Sequence, residues 1–154
     1  MLHLVVVEDE HLQEEPITEH LRAVFAGARV LTLRTEEEFR ARLPAMRADV
    51  PDLVLMDVML RWADPRPGIP EPPEDVLSGG YYRAGQRCAQ LLLDDPVLCA
   101  VPVVLFTILE RSDLERDGER LPANTSYIGK NVELEVLTRH VRYCLRRRQS
   151  GAEV

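Results

Sequence analysis

Three carboxylates, a hydroxyl and an ammonium stand at the ends of short apolar runs along this 154-residue chain. Glu8 and Asp9 follow Val7, Asp57 follows Leu53-Val54-Leu55-Met56, Thr107 follows Phe106, and Lys130 follows Gly129. Clustered carboxylates repel one another unless a cation sits among them, and a hard divalent ion such as Mg2+ takes oxygen ligands. With the ion in place, one carboxylate can act as a nucleophile towards phosphorus. The hydroxyl and the ammonium would then neutralise the transferred phosphoryl oxygens. Lys130 is the only lysine; every other cationic side chain apart from histidine is arginine, so this position wants a compact point charge. Taken singly, each residue has a plainer reading: Asp57 as a turn cap, Thr107 as a partner for a strand-end backbone group, Lys130 as a solvated lysine. The set, not any member, carries the chemistry.

Such a set needs elements that bring its members to one place. Residues 2–7 are apolar apart from His3 and β-branched at the centre, as in a strand buried on both faces. Ile17, Leu21, Val24 and Phe25 recur on one helical face, which places Pro16 in the first turn and Gly27 at the close. Residues 29–33 read as a second strand. Thr35 followed by Glu38 is a capping-box pattern that starts a helix at Glu36, and Pro44 is expected to bend or end it. Residues 53–57, 101–106 and 126–129 read as three more strands. Helices are expected over 82–94 and 132–147, the last with Leu134, Leu137, Val141 and Leu145 inside. Strands alternating with helices predict an α/β fold, a doubly wound five-stranded parallel sheet with helices on both faces. Its functional crevice lies beyond the carboxyl ends of the strands, where all five chemical residues fall.

Composition narrows the class. A net charge of -7 disfavours nucleic acid or an anionic membrane as the partner. No apolar run approaches the roughly 20 residues of a membrane span, and the N-terminus lacks a signal-peptide layout, so a cytoplasmic address is expected. Cys88, Cys99 and Cys144 are odd in number and widely spaced, which reads as three reduced, partly buried thiols. His3, His11, His20 and His140 share no metal spacing beyond the pair His140 and Cys144, and read as packing or surface residues. Arg146-Arg147-Arg148 suits a helix C-terminus. Residues 58–80, with Pro65, Pro67, Pro70, Pro72 and Pro73, form a long insertion after the third strand, either a plain surface loop or a functional one.

The order of these motifs resembles the receiver domains of two-component response regulators: Val7-Glu8-Asp9-Glu10 after the first strand, Asp57 after the third, Thr107 after the fourth, Lys130 after Tyr127-Ile128-Gly129. The resemblance implies a flavodoxin-like receiver domain over residues 1–148 with a C-terminal tail at 149–154. It implies that Asp57 is the phosphorylated aspartate, that Asp9 binds Mg2+ directly and Glu8 through water, and that the Met59 carbonyl completes the metal shell. Thr107 and Lys130 would hold the phosphoryl oxygens, and Thr107 with Tyr127 would form the switch. The partners implied are a histidine kinase or phosphotransfer protein and a downstream protein, with no direct nucleic-acid or membrane contact. The face of the fourth helix, fifth strand and fifth helix is the one for a homodimer, with oligomeric state left open. Its only catalysis would be its own Mg2+-dependent phosphorylation and dephosphorylation. With six residues after Arg148, no effector domain is expected in this chain.

Three departures from the family pattern stand out. Asn131 follows the lysine in place of proline, Ile108 replaces a small residue and narrows access to Asp57, and Arg61-Trp62 opens the long insertion. They motivate an alternative, a non-phosphorylated adaptor that binds through the proline-rich loop. A metal-dependent phosphohydrolase is a third reading, opposed by Met59 where a second aspartate would stand and by the lack of a cap domain.

Overall fold

Each apolar run becomes a strand in the computed structural model, which describes residues 1–152. The strands are β1 (His3–Val7), β2 (Arg29–Leu33), β3 (Leu53–Met56), β4 (Val103–Thr107) and β5 (Thr125–Gly129). All neighbours pair in parallel, in the order β2-β1-β3-β4-β5, so the winding reverses between β1 and β3. The helices are α1 (His11–Val24), α2 (Glu36–Ala48), α3 (Glu74–Gly79), α4 (Ala84–Asp94), α5 (Arg111–Leu114) and α6 (Leu134–Ala152).

The two-residue alternation of a strand divides the sheet's side chains between two cores. Val5, Val7, Val54, Met56, Val103 and Leu105 meet Phe39 and Met46 of α2 and Cys88 and Leu92 of α4. Leu4, Val6, Leu53, Leu55, Val104 and Phe106 meet Ile17 and Leu21 of α1 and Leu137, Val141 and Leu145 of α6. Burying each such aliphatic side chain stabilises the fold by roughly 1.5–3 kcal/mol before chain entropy is counted. Cys88 is buried and Cys99 and Cys144 half-buried, all three as free thiols.

Several boundaries differ from the sequence reading. Pro16 lies a turn deeper in α1 than expected; the carbonyl it leaves unpaired belongs to Leu12, an exposed residue that water can reach. Pro44 does not end α2, which continues to Ala48 on its exposed side. Thr35 caps α2 as expected, accepting from the Glu38 amide at 3.2 Å, while the Glu38 carboxylate turns back to the Arg34 amide at 2.9 Å. Strand β4 starts at Val103, since Pro102 has no amide to give the ladder. Helix α6 begins at Leu134 and runs on to Ala152, through residues read as tail; Glu153 and Val154 lie outside the described residues.

The insertion is an ordered structure rather than an open loop. It contains α3, and the free amides at the N-terminus of α2 take its backbone: Glu36 donates to the Arg61 carbonyl at 2.9 Å and Glu37 to that of Trp62 at 2.8 Å. The wholly buried Glu36 carboxylate pairs with Arg87 of α4 at 2.7 Å and with Arg40 at 3.0 Å, and Arg40 reaches Asp75 of α3 at 2.8 Å. Between β4 and β5 there is only the single turn α5 followed by a short 3-10 turn. The β5 side chains are accordingly half-buried rather than enclosed.

Candidate functional site

The ladder that builds the sheet also sets the chemical residues in place. The Asp57 amide donates to the Val7 carbonyl at 2.9 Å, the Glu8 amide to Leu33 at 2.9 Å, and the Lys130 amide to Thr107 at 2.9 Å. One further strand-like bond at each strand end therefore holds Glu8, Asp57 and Lys130 along the same edge, beside the β1/β3 reversal. Lys130 reaches the site across a trans bond to Asn131; no cis peptide occurs among the described residues.

The side chains converge. Lys130 Nζ lies 2.6 Å from Glu8 Oε2 and 3.0 Å from Asp57 Oδ2, and it also donates to the Gln13 side-chain carbonyl on α1. The other Asp57 oxygen, Oδ1, accepts from the Val58 amide at 2.7 Å and the Met59 amide at 3.3 Å. Asp9 faces the opposite cation: its Oδ2 accepts from the Arg61 amide at 3.3 Å and lies 3.6 Å from Arg61 Nε. Glu8, Asp9 and Asp57 are all buried, and each offers an oxygen within 4.8 Å of the others.

Burial, and next the Asp57 charge, raise the Glu8 carboxyl to about 7, although Lys130 pulls the other way. Burial likewise raises Asp9, against the hydrogen bond from Arg61. For Lys130, burial opposes the charge, but Asp57 and the Glu8 hydrogen bond outweigh it and the ammonium is held more firmly than usual. Excess negative charge at a buried point is what a divalent cation relieves. Octahedral Mg2+ with bonds of about 2.0–2.1 Å spaces its oxygen ligands about 2.9–4.2 Å apart, so three hard oxygens within 4.8 Å fit after a small contraction or with one bridging water.

Thr107 is fully buried at the end of β4, and its hydroxyl accepts from the Leu109 amide at 3.3 Å. Tyr127 is half-buried against the α2/α4 core, and its hydroxyl donates to the Leu109 carbonyl at 2.6 Å. The two residues paired by resemblance thus hold opposite ends of the same residue. Ile108, expected to narrow the approach to Asp57, is 68% exposed. Met59 is half-buried and meets Asp57 through its amide.

Four residues near the site escaped the sequence reading. Gln13 had no signal beyond its place on α1. Arg61 was visible only as a departure from the family pattern. Tyr81, whose phenol is raised by burial and then by the charges of Asp9 and Asp57, comes from the segment after the insertion. Gly85 lets α4 begin directly against the strand end: a Cβ there would meet the Asp57 carbonyl and sit 2.7 Å from Val58 Cα. A separate groove of about 670 Å3 opens at the other end of the sheet, between the starts of β4 and β5 and α6. Three of its polar side chains meet one another, with Ser126 Oγ 2.7 Å and Cys144 Sγ 3.5 Å from His140 Nε2.

Signal and response-regulator receiver domains are among the solved structures that match the chain. The signal receiver domain of a signal transduction histidine kinase from Syntrophus aciditrophicus is 25% identical, with a TM-score of 0.62 over 95% of this chain and 91% of that one. The signal receiver domain of a modulated diguanylate cyclase from Desulfovibrio desulfuricans is 21% identical, with a TM-score of 0.67 over 98% and 99%. A response regulator receiver domain protein from Methanospirillum hungatei is 15% identical, with a TM-score of 0.63 over 98% of both chains. No protein-family model matches the chain, and no curated protein matches it. The chain has the receiver-domain fold. In this chain the sheet also carries the ordered 58–80 segment with α3, and Arg61 of that segment lies against Asp9.

Proposed function

We propose that the chain is a phospho-acceptor signalling switch that takes a phosphoryl group onto Asp57. The observation that carries this reading is the meeting of Glu8, Asp9 and Asp57 with the chain's only lysine at the carboxyl edge of the sheet. A carboxylate oxygen of Asp57 attacks the donor's phosphorus as the bond from phosphorus to the donor's nitrogen or oxygen breaks, and the product is an acyl phosphate. Asp9, Asp57, the Met59 carbonyl and, through water, Glu8 would hold Mg2+, which would supply neutralising charge for the phosphoryl oxygens. Lys130 stays within reach of the same oxygens, and the Val58 and Met59 amides hold Asp57 in orientation through Oδ1. Hydrolysis of the acyl phosphate at the same site resets the switch.

The phosphoryl group adds about -1.5 to -2 charges and strong acceptor oxygens beside Thr107. A Thr107 hydroxyl drawn to them gives up the Leu109 amide, and Tyr127 is tied to the other end of that residue. The change then passes to the α5, β5 and α6 face, where a downstream protein, or a second copy of the chain, would read it. The donor is a histidine kinase or phosphotransfer protein, and the domain, set at residues 1–148 by the resemblance, takes in α6 as far as Ala152. No helix among the described residues is long and apolar enough to cross a membrane; a cytoplasmic site of action agrees with a phosphorylated donor.

Intact mass after incubation with Mg2+ and acetyl phosphate tests the reading, on the native chain and on Asp57→Asn. One phosphoryl adduct on the native chain alone supports it. No adduct with Mg2+ demonstrably bound, and none with candidate kinases, would leave the adaptor reading, whose support is the ordered, proline-rich 58–80 segment.

A further inference from the structure

Arg61 holds the carboxylate that the metal needs. Its amide and Nε both approach Asp9 Oδ2, at 3.3 and 3.6 Å, and its terminal nitrogen reaches the Asp9 carbonyl at 3.3 Å. We propose that Arg61 is a resident counter-cation which a divalent ion must displace from Asp9, and that this displacement is relayed into the 58–80 segment. The proposal rests on the metal-binding reading of Glu8, Asp9 and Asp57.

A guanidinium and a divalent cation cannot both lie against one buried carboxylate oxygen without strong repulsion. Arg61 is the partner free to leave. Its side chain is 46% exposed, and Asp64, 3.4 Å from its terminal nitrogen, offers a second carboxylate outside the site. The Lys130 side chain, in contrast, is only 9% exposed and is held by Glu8, Asp57 and Gln13.

The relay is built from backbone bonds and the contacts of the Trp62 indole. The Arg61 and Trp62 carbonyls accept from the Glu36 and Glu37 amides at the start of α2. Trp62 Nε1 donates to the Pro70 carbonyl at 2.8 Å, and the Arg40 guanidinium lies 6.0 Å from the indole centroid. A moved Arg61 therefore changes the surroundings of Trp62 and its hold on the proline-rich strap. That gives the domain a second, metal-sensitive surface on the β1/β3 side, apart from the β4–β5 face.

Trp62 is the only tryptophan, so its emission reports this region alone. The full chain, Arg61→Gln and Arg66→Gln are titrated with Mg2+ by calorimetry and by fluorescence. In the native chain, Mg2+ should change Trp62 emission saturably. Arg61→Gln should bind Mg2+ roughly three- to fivefold tighter, the upper part of the span expected for losing one half-exposed competing cation. Its metal-free emission should already resemble that of the Mg2+-loaded native chain. Arg66→Gln removes the same charge from the same segment, but from a half-exposed arginine paired with Glu37 rather than Asp9, and should stay within about twofold of native affinity. Unchanged or weaker binding by Arg61→Gln overturns the proposal, as does equal tightening in Arg66→Gln. Trp62 emission blind to Mg2+ while calorimetry registers binding overturns the relay. If neither the native chain nor Arg61→Gln binds Mg2+ at millimolar concentration, the metal-binding reading itself fails and takes the proposal with it.

Discussion

Replacing Glu36 with alanine should be among the most damaging changes outside the apolar core. The Glu36 carboxylate is wholly buried and takes two bonds from Arg87, at 2.7 and 3.0 Å, and two from Arg40, at 3.0 Å from its terminal nitrogen and 3.3 Å from Nε. The two arginines differ in what Glu36→Ala leaves them. Arg40 keeps Asp75 at 2.8 Å. Arg87, with a side chain only 12% exposed and Nη1 already buried without a partner, keeps no carboxylate. A buried charge stranded this way costs about 3–5 kcal/mol. Against a typical stability of about 5–15 kcal/mol that is a large share, and in urea it should lower the unfolding midpoint by about 2 M at an ordinary denaturant slope. If the stranded charge is the cause, adding Arg87→Met to Glu36→Ala should recover half or more of the loss. Equilibrium urea unfolding of the native chain, both single variants and the double variant measures each term. A Glu36→Ala cost under about 1 kcal/mol would refute the reasoning, as would a double variant less stable than Glu36→Ala alone.

Two shorter predictions concern the site itself. Because the folded Glu8 carboxyl is raised from 4.5 to about 7, the native state holds a proton that the unfolded chain has released between those values. Stability in chelator should therefore fall as pH rises through that window, and Glu8→Gln should gain on the native chain by roughly 2–3 kcal/mol between pH 4.5 and 8; parallel urea-unfolding curves would contradict this. Gly85→Ala would press a methyl onto the Asp57–Val58 backbone, which must shift at a cost of roughly 1–3 kcal/mol; the reduced thermal midpoint should come with slower adduct formation by acetyl phosphate.

The order of elements and the residues at the strand ends were legible in the sequence because both depend on local pattern. A β-branched run such as Leu4 to Val7 can satisfy its side chains only when covered on both faces, and in a parallel sheet the next residue must emerge at the carboxyl edge. That alone sends Glu8, Asp57, Thr107 and Lys130 to one rim. Thr35 likewise announced the start of α2 through a contact three residues away. Proline was the poorer guide: Pro16 and Pro44 sit within continuous helices because each lost hydrogen bond falls where solvent or slight bending absorbs it. What the tertiary structure decided was every pairing that spans the chain. Gln13 and Lys130 are 117 residues apart, and Glu36 and Arg87 are 51 apart. The 58–80 segment, which lacks hydrophobic periodicity of its own, is ordered by the free amides of α2 and by Asp9. Periodicity reports which way a side chain faces; which charge stands opposite it is settled only when distant elements pack and buried groups must find partners.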